Sequence, residues 1–233
     1  MPMRYLMVFP VLLCIISCAK NESSFYPLEA GLVWLYEIKK HTVIGVSRQR
    51  ELIHNLGQRD TGEEKTYIRT SATGTESIYL HTENGIRLKY RILPDKTIIK
   101  DNDITTTIFD YPLTVGTQWQ DFFITSSLKS FDPQAKDVIE SIPVTVKIQS
   151  VNDTVRVAAG KFINCIRIES AGEKLIQEGK YAYQETMTIT LLNTRWYASG
   201  VGLVKEVQTE KTNILQYPEG NFTKSLKNFY RTK

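Results

Sequence analysis

Gly85-Ile86-Arg87-Leu88-Lys89-Tyr90-Arg91-Ile92 alternates strictly from Ile86 onward, with Ile, Leu, Tyr and Ile on one parity and Arg, Lys and Arg on the other. Side chains on a strand point alternately to its two faces, so the stretch reads as a half-buried β-strand. The same period runs through Leu32, Trp34, Tyr36 and Ile38, and through Val144, Val146 and Ile148. It returns in Tyr181, Tyr183, Met187, Ile189 and Leu191, opposite Gln184, Thr186, Thr188 and Thr190. One dry face and one wet face favour antiparallel pairing.

Turn signals separate these runs. Asn84-Gly85 lies between Ile78-Tyr79-Leu80 and the Ile86 run and predicts a tight hairpin. Leu93-Pro94-Asp95-Lys96, Val151-Asn152-Asp153-Thr154 and Ala158-Ala159-Gly160-Lys161 predict further turns. The expected fold is all-β, an antiparallel half-barrel or barrel of about ten or more strands. Residues 127–141 are open to one short helix, capped by Asp132 with Pro133 in the first turn, or to a polar surface loop.

Tyr26-Pro27-Leu28-x-x-Gly31-x-x-Trp34 recurs as Tyr111-Pro112-Leu113-x-x-Gly116-x-x-Trp119. Proline fixes the approach, glycine permits a left-handed turn, and a large aromatic opens the strand. The repeat is either an old duplication or one strand-opening device used twice.

The N-terminus sets the address. Arg4, the apolar run Tyr5–Ile16 and then Ser17-Cys18 have the parts of a secretory signal. The run is too short to span a bilayer, which takes about 20 apolar residues. A cysteine directly after the cut resembles a bacterial lipoprotein signal, which implies lipidation of Cys18 by acyl chains such as palmitate. Ordinary cleavage and an uncleaved anchor are the plainer alternatives. The expected organisation is a signal at residues 1–17, a lipidated cysteine and tether at 18–24, and one β-rich domain at 25–233. The expected partner is a membrane reached through the acyl chains. Ala19 after the cysteine resembles outer-membrane sorting, so the expected place is the cell envelope, at the outer membrane.

Without residues 1–17, 216 of the 233 residues remain, and Lys+Arg falls from 29 to 28 against 25 Asp+Glu, a net charge of +3. No basic stripe interleaved with aromatics suggests nucleic acid. Cys14 leaves with the signal, so Cys165 stands alone in a strand-like run, where a small-hydrophobe role outweighs a nucleophilic one. His41, His54 and His81 are scattered and lack metal-ligand spacing. No nucleophile elbow is present, Glu63-Glu64 reads as solvated charge, and no catalytic residue, metal or cofactor is expected.

Candidate ligand contacts are Trp34, Trp119 and Trp196, each of which also suits core or rim packing. Glu185 interrupts the Tyr181–Leu191 face and either lines a cavity or marks a bulge or salt-bridged rim.

Four blocks together, the two Tyr-Pro-Leu repeats, Val155–Cys165 and Trp196-Tyr197-Ala198-Ser199-Gly200-Val201-Gly202-Leu203-Val204-Lys205, resemble a loose group of uncharacterised bacterial secreted proteins and lipoproteins. More distantly the chain is similar to periplasmic lipoprotein carriers of the LolA/LolB kind. That similarity implies an open half-barrel with a concave apolar face, and no catalytic residues. The expected function is non-catalytic binding of an acyl chain or other apolar ligand on that face. The alternative is a structural or assembly subunit of a cell-envelope complex.

Overall fold

The computed structural model describes residues 22–60, 65–99, 106–177, 179, 181 and 186–232. Cys18, Glu63, Glu64, Tyr183 and Glu185 lie outside the described residues. A short 3-10 helix, Glu22–Phe25, precedes thirteen strands. They are β1 (Leu32–Thr42), β2 (Gly45–Asp60), β3 (Lys65–Ser71), β4 (Glu76–Thr82), β5 (Gly85–Ile92), β6 (Ile98–Ile99) and β7 (Thr106–Asp110) in the first half. The second half holds β8 (Gln118–Ile124), β9 (Ser141–Val157), β10 (Gly160–Ile176), β11 (Met187–Ala198), β12 (Gly202–Thr212) and β13 (Gly220–Arg231). No helix among the described residues is long and apolar enough to cross a membrane.

All strands belong to one antiparallel sheet in the order β6-β5-β4-β3-β2-β1-β13-β12-β11-β10-β9-β8, with β7 also pairing β5. Two meanders, β1–β5 and β8–β13, are therefore joined along the β1–β13 ladder. Laid flat, the path from β7 to β8 would measure about 50 Å at roughly 4.8 Å per strand. Residues 111–117 alone connect those strands and reach at most about 28 Å. The sheet must curl, and it does so without pairing β7 to β8. The all-β antiparallel sheet is what the period-2 pattern predicts, and of the half-barrel and barrel forms expected it takes the half-barrel.

Alternation places the core. Val144, Val146 and Ile148 are each at most 1% exposed, as are Ile189 and Leu191, and all face the main core with Ile86, Phe109 and Ile168. A smaller core holds Leu32, Trp34, Tyr36, Cys165, Val201, Val204 and Leu226, gathered where β1 and β12 begin and β13 ends. The N-terminal helix docks here, since Gly200 N donates to the Ser24 carbonyl at 2.8 Å. Ser24, expected in the tether, is thus held against the β11–β12 turn.

Two expectations change. Residues 127–141 form no helix. Thr125–Glu140 is an extended loop that is buried at both ends, with Leu128 and Val138 in the core, and exposed between them from Phe131 to Gln134. Its backbone groups have better partners than a helix offers: Thr125 N donates to the Glu140 carbonyl at 2.9 Å and Val138 N to the Leu128 carbonyl at 3.1 Å. Val151–Thr154 is no turn either. β9 runs through it, and its polar residues mark register shifts against β10 near Cys165 and Arg167. The Asn84-Gly85 hairpin is present with Glu83 and Asn84 as its two turn residues. Gly85 opens β5 at φ 145°, where a Cβ would lie 2.1 Å from the Phe109 carbonyl oxygen. The glycine serves the close approach of β7.

Candidate functional site

A cavity of about 500 Å³ opens on the concave face. Its walls come from β1–β5 and β7 on one side and from β11, β12 and β13 on the other. Tyr26, Tyr79 and Tyr197 of the main core and Tyr36 of the smaller core all line it, so it lies where the two cores meet.

The first wall is organised around Arg69. Its guanidinium carbon stands 3.8 Å from the centre of the Tyr26 ring, 4.7 Å from that of Trp34 and 5.4 Å from that of Tyr79. Cations favour such ring faces. Arg69 Nε donates to Asn55 Oδ1 at 3.0 Å, and Nη2 donates to the Pro27 carbonyl at 2.7 Å. The buried Asn55 donates to that same carbonyl at 2.9 Å. The first Tyr-Pro-Leu block thus supplies both a ring and an acceptor to one arginine. Lys224 sits 4.6 Å over the Tyr36 ring and pairs with Glu51 at 2.5 Å.

The opposite wall, where Arg195 and Glu206 line the cavity, continues along β11 and β12 into a polar row. Asn193 Nδ2 donates to Glu206 Oε1 at 2.8 Å and to Gln208 Oε1 at 3.1 Å, and Gln208 Nε2 donates to Glu210 Oε1 at 2.7 Å. Glu210 is fully buried and accepts from the backbone N–H groups of Ser126 and Ser127. Arg195 follows on the same face, 7% exposed, its Nε and Nη2 without a hydrogen-bond partner. Its guanidinium lies 4.9 Å from the centre of the Phe123 ring.

Burial keeps the phenols of Tyr26, Tyr36 and Tyr197 protonated, pushing each above its ordinary value despite the opposing charge of Arg69 at Tyr26 and Tyr36 and chiefly of Arg195 at Tyr197. The site therefore offers hydroxyl groups, aromatic faces and fixed positive charge. Among the described residues no cluster of three or more His, Cys, Asp or Glu side chains could hold a metal.

The tryptophans expected at a site are dispersed. Trp34 underlies Arg69 rather than lining the cavity, and its indole N–H donates to the Val201 carbonyl at 2.6 Å. Trp119 is buried in the main core. Trp196 donates to Asp153 Oδ2 at 3.1 Å and carries Lys205 over its ring at 5.4 Å. Ser150, Trp196 and Arg167 hold the Asp153 carboxyl below its usual value, although partial burial alone would raise it. His81 is separate, its ring Nε2 3.4 Å from the Tyr111 hydroxyl, and burial lowers its basicity.

Sequence reasoning missed Arg69, Glu206, Arg195 and Lys224. One signal was available for Arg195. The parity of Met187, Ile189 and Leu191, which made Glu185 stand out, continues through Asn193 and Arg195 to Tyr197.

No protein-family profile matches the chain, and no curated protein matches it. Two solved structures are similar in outline. One is a "putative exported protein with YmcC-like fold" from Bacteroides fragilis, at 12% identity and TM-score 0.43, covering 89% of this chain and 99% of that one. The other is a "putative lipoprotein" from Parabacteroides distasonis, at 15% identity and TM-score 0.42, covering 88% and 98%.

Proposed function

We propose that this chain is an envelope lipoprotein, anchored through Cys18, that binds a small amphiphilic molecule non-catalytically in the concave-face cavity. The observation that carries the reading is the cavity itself. Its volume falls within the roughly 300–1,000 Å³ of small-molecule sites, and polar groups converge on its partly apolar walls. An open sheet keeps such a face from being wholly filled by its own side chains. The signal-like N-terminus supports the envelope address and the acyl anchor. The ordered helix Glu22–Phe25 would bring the smaller core close to the membrane.

Native mass spectrometry of the full chain as cells produce it, followed by solvent extraction, tests this reading. An extractable mass beyond the acyl anchor supports binding. A mass explained by the polypeptide and its anchor alone counts against it.

One observation favours a second reading, an assembly subunit working through protein contacts. Phe131, Ile139 and Leu215 are 63%, 65% and 89% exposed, in the segments at the end of the sheet away from the N-terminal helix. Such residues suit a protein interface better than solvent. Crosslinking from position 215 in intact cells, with a discrete adduct as the expected product, separates the two readings.

A further inference from the structure

The charge of the cavity selects among the molecules it can hold, an inference that rests on the binding function just proposed. Five cationic residues line the walls, Arg50, Arg69, Arg91, Arg195 and Lys224, against two carboxylates, Glu51 and Glu206. Lys224 and Glu51 offset each other as a pair. Arg69 bonds to neutral acceptors, which leaves its charge uncompensated.

Arg195 points to the ligand. It is more than nine-tenths buried, and its unpartnered groups are Nε and Nη2. Those two N–H bonds lie side by side on one edge of the planar guanidinium and aim the same way. This edge matches two oxygens of one carboxylate or phosphate. Glu206 stands across from Arg195 in the β11–β12 register, but its Oε1 accepts from Asn193. A buried charged donor with no acceptor is costly to a fold, and a ligand anion would remove that cost.

We propose that the cavity takes an amphiphile with an anionic head, a carboxylate or a phosphate monoester, seated on the Nε–Nη2 edge of Arg195. The apolar body lies against Tyr26, Tyr79 and Ile108. Seating the head asks for a rotamer shift of Arg195 off the Phe123 ring, within reach of so long a side chain.

Octanoate, octyl phosphate and octanol share one chain and differ in the head. Each is titrated by calorimetry into the full chain held in lipid nanodiscs, with protein-free nanodiscs as reference. At least one anion is expected to bind about tenfold or more tighter than octanol, the worth of a charge-assisted bond. A preference for octanoate indicates a free carboxylate, and a preference for octyl phosphate indicates a lipid-type phosphate. Arg195→Met should abolish the preference while octanol binding persists. Arg195→Lys should keep only part of it, because the charge remains and the paired donors do not. Equal binding of all three compounds overturns the anionic head and leaves the binding function standing. Binding of none overturns both. The melting temperature of Arg195→Met should be unchanged or higher, since an unpaired buried charge has gone. A large fall would overturn the proposal by showing that Arg195 serves the fold.

Discussion

Cys165 is fully buried in the smaller core, and burial, reinforced by the charge of Asp153, pushes its thiol up to about 11. The folded protein keeps this proton at a pH where the unfolded chain releases it. The resulting stability is whole below about pH 9 and is lost as pH rises toward 11. Cys165→Ala removes this contribution. Wild type and variant should therefore converge in stability between those pH values, by on the order of 1–3 kcal/mol in denaturant titrations. Iodoacetamide at pH 8 should leave native Cys165 unmodified and label it only after unfolding, as read by mass spectrometry. Rapid labelling of the native thiol would contradict its place in the core. The apolar company of Cys165 in its run was enough to suggest this role. Arg195 was harder to read, because an arginine on a strand ordinarily faces water, and only its parity with Ile189 and Leu191 marks it as turned inward.

Among elements, the Thr125–Glu140 loop depends most on a single distant group. Glu210, on β12, holds the backbone N–H groups of Ser126 and Ser127 at 2.9 Å each. Glu210→Ala strands those donors in the interior, and a loss of about 3 kcal/mol is expected in chemical denaturation, with faster proteolysis within the loop. Glu210→Gln should cost less, since an acceptor remains. The β9–β10 hairpin has a different constraint. A Cβ on Gly172 would lie 2.0 Å from the Pro143 carbonyl oxygen, so Gly172→Ala must move backbone. A loss of about 2 kcal/mol or more in denaturant titrations is the expected result. Strands such as β5, β9 and β11 were legible because one wet face and one dry face impose period 2. The loop was not legible, since its stability lies in bonds to β12. The Asn152-Asp153 pair misled, because turn-forming residues also serve register shifts inside a strand.

For the whole molecule, the matched Tyr-Pro-Leu blocks have matched roles. Gly31, at φ 84°, donates its N–H to the Asn55 carbonyl, and Gly116, at φ 96°, donates to the Ile148 carbonyl, each at 2.9 Å. Each block opens a meander, and each glycine ties that opening to the next strand. The anchor belongs to this scale as well. Cys18→Ala should move the protein from the membrane fraction to the soluble fraction, with the fold intact by circular dichroism. Persistent membrane association would remove acylation from the reading. The cavity was illegible as a unit, because Arg69 and Arg195 reach it from strands remote in sequence. The β1–β13 ladder adds a matter of timing. A ribosome finishing β1 at Thr42 must add 43–219 before β13 begins at Gly220. At about 5–20 residues per second, that leaves one edge of β1 bare for about 10–35 s. Until β13 is in place the folding chain exposes an unpaired edge at β1, and a holdase would have its work there.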